Sequence, residues 1–113
     1  MPGGRLFHYT DDEGYQAISS QRVWVFEASQ PSGDHPFGAY FTTLGPGTRN
    51  LAKRLRIAKR KLEFVFCFTD QSDLRPLRGA RGEFIFHSRA DYAVTKDRQV
   101  CHGPRDAVAE RLR

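Results

Sequence analysis

A chain of 113 residues has the length of one domain, and the expected single domain runs over residues 1–113. Lys and Arg number 18 against 13 Asp and Glu, a net charge of +5 that favours an anionic partner without bearing on the fold. Nine Phe exclude a disordered chain, no apolar run reaches the ~20 residues of a membrane span, and the opening "MPGGRLFHYT" lacks the apolar stretch of a signal peptide. Export would need another route, and the compartment stays open. The two cysteines, Cys67 and Cys101, permit either one disulfide or two buried thiols.

"RLFHY" reads as a short strand over residues 5–9. Thr10 is expected to cap a short helix, with Glu13 at the capping-box spacing and Tyr15 and Ile18 on one face. "RVWVFEA" is a second strand, "SQPSGDHPFG" a loop, and "AYFTTL" a third strand closed by "GPG". "TRNLAKRLRIAKR" is the clearest helix expected from the sequence: Leu51, Ala52, Leu55, Ala58 and Leu62 follow the helical period, and the opposite face is nearly all Arg and Lys. "EFVFCFT" is a strand with Phe64, Phe66 and Phe68 on one side, followed by the loop "DQSDLRPLRGARG". "EFIFHS" is another strand, "DYAVTKDRQVCH" holds one more, and "GPRDAVAERLR" closes as a helix with Pro104 near its start. Strands outnumber helices and do not alternate with them, which predicts an α+β domain and not a doubly wound sheet.

His8, Tyr40 and Glu83 each stand at or near a strand end, well separated in sequence. "LFHYT" with "GYQAI", followed by "FGAYFTTLGPGT", resembles two blocks, in order, of the His-Tyr-acid branch of the ADP-ribosyltransferases. That branch includes the diphtheria-toxin and poly-ADP-ribose polymerase type, and the resemblance is greatest to its small bacterial toxin type with a His-Tyr-Asp signature. It covers most of the chain.

The resemblance implies a fold of split β-sheets with a few short helices around an NAD cleft. It implies an enzyme, a toxin or effector that cleaves the nicotinamide–ribose bond of NAD and passes ADP-ribose to a macromolecular acceptor. NAD would be a substrate, and no metal is implied. Nicotinamide is a good leaving group, so the site has to hold it, align the ribose and stabilise an oxocarbenium-like transition state. Carried over by position, His8 would bond the adenosine ribose and the Tyr9 backbone would grip the carboxamide. Tyr40, behind Gly38, would stack on the nicotinamide, and Glu83 or Asp91 would bond the 2′-hydroxyl. Thr10 would add a hydroxyl to the ribose or only cap the helix. Polymerase-type enzymes have glycine where Tyr9 stands, whereas the small toxin type carries tyrosine.

The remaining histidines, His35, His87 and His102, lack metal-ligand spacing with the cysteines, and "GPG" lacks the Lys-Ser/Thr of a phosphate loop. Arg49, Lys53, Arg54, Arg56, Lys59, Arg60 and Lys61 form either a solvated helix face or a grip on a nucleic-acid or protein acceptor, or on an acidic immunity protein. Two other readings stay open: an NAD glycohydrolase toxin without a specific acceptor, and a small basic nucleic-acid-binding module in which His8 and Tyr40 are structural.

Overall fold

The computed structural model describes residues 4–29, 38–76 and 85–113. Over these the chain is a mixed α/β domain built on an antiparallel sheet with few helices. The strands are β1 (Arg5–Thr10), β2 (Trp24–Phe26), β3 (Ala39–Thr42), β4 (Phe64–Thr69), β5 (Arg75–Pro76), β6 (Ile85–Ser88), β7 (Tyr92–Val94) and β8 (Gln99–Pro104). The helices are α1 (Asp12–Ser19), α2 (Leu51–Leu55) and α3 (Arg105–Arg111). Six strands form one sheet in the order β5-β6-β3-β1-β4-β8, and β2 and β7 form a separate two-stranded ribbon.

Alternation along β1 and β4 sends successive side chains to opposite faces, and each face has its own cover. On one face Leu6, Phe41, Phe66 and Phe68 pack against Trp24 and Phe26 of β2 and Tyr92 and Val94 of β7, with Tyr15 and Ile18 of α1 at the margin. On the other, Phe7, Val65, Cys67 and Cys101 pack against Val108 of α3. Phe26, Phe41, Phe66 and Phe68 are fully buried, and each such ring contributes about 1.5–3 kcal/mol over leaving it in water. Cys67 and Cys101 face each other across β4 and β8 as buried free thiols, and burial pushes the Cys67 thiol up to about 12.

Three local expectations are corrected. The cap of α1 is Asp11, not Thr10: the Asp11 carboxylate accepts from the Gly14 N–H at 3.0 Å. Thr10 instead ends β1, buried, directly over Gly14, where any Cβ would collide with its hydroxyl. The long basic helix is also not continuous. After the five residues of α2, Arg56 turns left-handed (φ 57°), Ala58 is extended, and Lys59–Leu62 make a single turn of 3-10 helix. Arg49 and Lys53, and Arg56 and Arg60, would be like-charged neighbours four apart on a continuous helix, and such pairs destabilise it. The break lets Lys61 swing its Nζ to 2.9 Å from the Asp11 carboxylate, with Arg60 at 3.8 Å, so these two cations pin the start of α1. The segment "DYAVTKDRQVCH" holds two strands, β7 and part of β8, with a 3-10 turn between them at Lys96–Arg98.

No helix among the described residues is long and apolar enough to cross a membrane.

Candidate active site: the gap between β1 and β3

β1 pairs with β4 along its whole length, from Arg5↔Thr69 to Thr10↔Phe64. With β3 it pairs only at Phe7↔Thr42, and the register stops there. Beyond that point the two strands are joined by a side chain: His8 Nδ1 lies 3.0 Å from the Tyr40 carbonyl oxygen. A carbonyl only accepts, so Nδ1 carries the proton and donates. Burial against Phe26 (ring centroids 4.6 Å apart) and Phe41 (5.7 Å) lowers the His8 pKa from 6.5 to about 4, despite the opposing hydrogen bond to Tyr40. The imidazole is therefore neutral at pH 7 with its lone pair on Nε2, an acceptor suited to a hydroxyl.

The pleat fixes what else faces the gap. Since the Tyr40 carbonyl points at β1, the peptide groups of Tyr40 and Thr42 face β1, and those of Ala39 and Phe41 face β6. Phe7, opposite Thr42, turns its peptide toward β3, and so does Tyr9 two residues on. The Tyr9 peptide thus faces β3 at the point where the paired register has ended. Its side chain leaves the site: it packs beside Phe7 and its hydroxyl donates to the Leu44 carbonyl at 2.8 Å, while burial raises its pKa.

Tyr40 is half-buried, and its ring projects to the sheet face opposite the His8 ring. It stacks beside His87 of β6, centroids 5.9 Å apart and 19° between planes, and burial raises its hydroxyl pKa. His8 and Tyr40 therefore meet through a backbone carbonyl, one ring on each face of the gap. Gly38 pairs with Ser29 through two backbone hydrogen bonds of 2.9 and 3.0 Å. A Cβ there would come within 2.6 Å of the Ser88 carbonyl oxygen, so glycine lets this bridge lie against β6.

Of the two acids, Glu83 lies outside the described residues. Asp91 is exposed, and its Oδ1 accepts from the Ala28 N–H at 2.8 Å, tying the end of β2 to the turn before β7. Among the described residues no three of His, Cys, Asp and Glu gather as a metal site. Two neighbours went unassigned in the sequence. His87 stands opposite Tyr40 by register alone, which no local motif encodes. His102, in line with His8 across Phe66, accepts or donates at 2.7 Å to the Tyr15 hydroxyl.

Comparison of the chain with protein-family models, with curated proteins and with solved structures finds no match.

Proposed function

We propose that this domain is an NAD-dependent ADP-ribosyltransferase, a toxin or effector that cleaves the nicotinamide–ribose bond and transfers ADP-ribose to a macromolecule. The observation that carries the reading is the His8–Tyr40 hydrogen bond across an interrupted strand pair. Two motif blocks separated by 32 positions supply adjacent strands, and the ladder stops where a carboxamide would take its place. The Tyr9 peptide offers one N–H and one C=O, the complement of a primary amide. The Tyr40 ring, on the opposite face of the sheet from the His8 ring, is the one proposed to stack on the nicotinamide. The neutral His8 presents Nε2 to a ribose hydroxyl. Positive charge accumulates on the ribose as nicotinamide leaves, and Glu83 is the carboxylate proposed to bond the 2′-hydroxyl and offset it. Asp91, already engaged by Ala28, is the weaker choice.

Incubation with NAD tests this. Nicotinamide should be released by the wild type and suppressed about a hundredfold or more in Glu83→Gln, the scale of losing one electrostatic stabiliser. Release in equal yield with free ADP-ribose, and none on any acceptor, would identify a glycohydrolase. A folded wild type that releases no nicotinamide would return His8 and Tyr40 to purely structural roles.

A further inference from the structure

We infer that the macromolecule this domain engages is a duplex nucleic acid, held through its phosphates by the cationic segment 49–62 that leads into β4 beside the gap. As the acceptor of ADP-ribose the duplex rests on the NAD reading; its binding does not.

The positive charge of the chain is concentrated in this segment. Residues 49–62 hold seven Arg and Lys and no acid, which exceeds the +5 of the whole chain, so everything outside the segment is net acidic. All seven are exposed, while Leu51 and Leu62 are buried. Among the described residues no acid pairs with Lys53, Arg56 or Lys59; Asp11 takes Lys61 at 2.9 Å and Arg60 at 3.8 Å. Those contacts fix where the segment ends. Asp11 directly follows Thr10, the last residue of β1, and Thr10 pairs with Phe64, the first of β4. β3 runs antiparallel to β1, so its first residues, and with them the unpaired end of the gap, lie at the same edge of the sheet. The left-handed turn at Arg56 divides the segment into α2 and a separate 3-10 turn, so the cations follow a bent track and not one helix face.

The chemistry separates a nucleic acid from an acidic protein. Cores of protein interfaces are depleted in Lys and built on apolar anchors, and the segment exposes one large apolar residue, Ile57. Nucleic-acid interfaces are polar and strongly cationic. The segment holds no aromatic ring on which an unpaired base could stack, which leaves phosphates of a duplex as the target, without sequence preference. In the transfer, an oxygen or nitrogen nucleophile of the nucleic acid bonds to the ribose C1. The bond to nicotinamide breaks with its electron pair leaving on the now neutral nicotinamide, and the nucleophile's proton passes to water.

The test is fluorescence anisotropy of a short labelled duplex, DNA in one arm and RNA in the other, followed by incubation with NAD. Wild-type affinity should fall about a hundredfold between roughly 50 and 200 mM salt, as released counterions require. The combined variant Lys53→Glu, Arg56→Glu and Lys59→Glu leaves the Asp11 pairs in place; it should bind about tenfold or more weakly, with a salt slope lower by about three. A control with the same change in charge, Arg22→Glu, Lys96→Glu and Arg111→Glu at exposed positions on other elements, should stay within about threefold of wild type. With NAD, the wild type should label the duplex, and the segment variant should lose that label while releasing nicotinamide near the wild-type rate. Equal losses in the two variants would reduce the effect to net charge and overturn the inference. So would a folded wild type that binds neither duplex, including one that binds polyglutamate instead, which would make the partner an acidic protein. Nicotinamide release with a bound duplex left unlabelled overturns its role as acceptor. Duplex binding without any nicotinamide release keeps the nucleic-acid surface and overturns the NAD reading alone.

Discussion

His8 should make the fold sensitive to acid in a way that one substitution removes. In the unfolded chain its imidazole takes a proton near pH 6.5, and in the folded domain only near pH 4. Between those values unfolding takes up a proton, so acid favours the unfolded state. The contribution is intact above about pH 6.5 and is lost as the pH falls toward 4. Integrated over that window the loss is about 2 kcal/mol between pH 7 and 5, and about 3 kcal/mol by pH 4. A domain of this size has roughly 5–15 kcal/mol in total, so the effect is large. His8→Asn keeps an N–H near the position of Nδ1, able to reach the Tyr40 carbonyl, but cannot titrate. Urea unfolding of both proteins at pH 7, 6, 5 and 4 gives the comparison. The lowered pKa values of His87 and His102 act in the same direction in both proteins and cancel in the difference. The stability advantage of wild type over His8→Asn should shrink by about 3 kcal/mol across the series. Parallel pH profiles would show that His8 is solvated and titrates normally, and the neutral Nε2 acceptor would lose its basis.

Gly14→Ala should destabilise by about 1–3 kcal/mol despite alanine's better helix propensity, because the added methyl meets the Thr10 hydroxyl, and Thr10→Ala in the same chain should recover much of the loss in thermal melts. Tyr92→Phe removes the hydroxyl that donates to Asp73 Oδ1 at 2.6 Å and accepts from Arg98 at 2.9 Å, and should cost about 1–3 kcal/mol in urea unfolding. Asp91→Asn keeps an oxygen for the Ala28 N–H and should leave both melting temperature and nicotinamide release near wild type, whereas Glu83→Gln should abolish most release. A collapse of release in Asp91→Asn with Glu83→Gln still active would exchange the two acids.

The strands were legible where alternation was strong. "EFVFCFT" reads directly as a strand with Phe66 and Phe68 on the core face, and "LFHYT" and "AYFT" fall where the structure has β1 and β3. The basic helix was misread because its apolar spacing is helical over residues 51–62, while the cost of stacking like charges and the pull of Asp11 act through space. The cap moved by one residue because Thr10 is needed in the strand ladder, opposite Phe64, and Asp11 is the next side chain able to reach Gly14. The resemblance implies that His8 and Tyr40 line one NAD cleft in separate roles, and it does not imply a bond between them. A side chain bonded to a backbone carbonyl, with the rings on opposite faces, depends on where the β1–β3 register stops. His87 was invisible for the same reason, since cross-strand register is a property of the folded sheet.

The central claim is that the gap beside Tyr9 receives the nicotinamide. Its most direct test is a titration of isotope-labelled Glu83→Gln with NAD, followed by amide chemical shifts. The largest changes should fall on the Tyr9 N–H, with Tyr40 and the His8 ring following in the same concentration range. Shifts confined to the pocket lined by Phe7, Gly45 and Leu112, or no shifts at millimolar NAD, would contradict it.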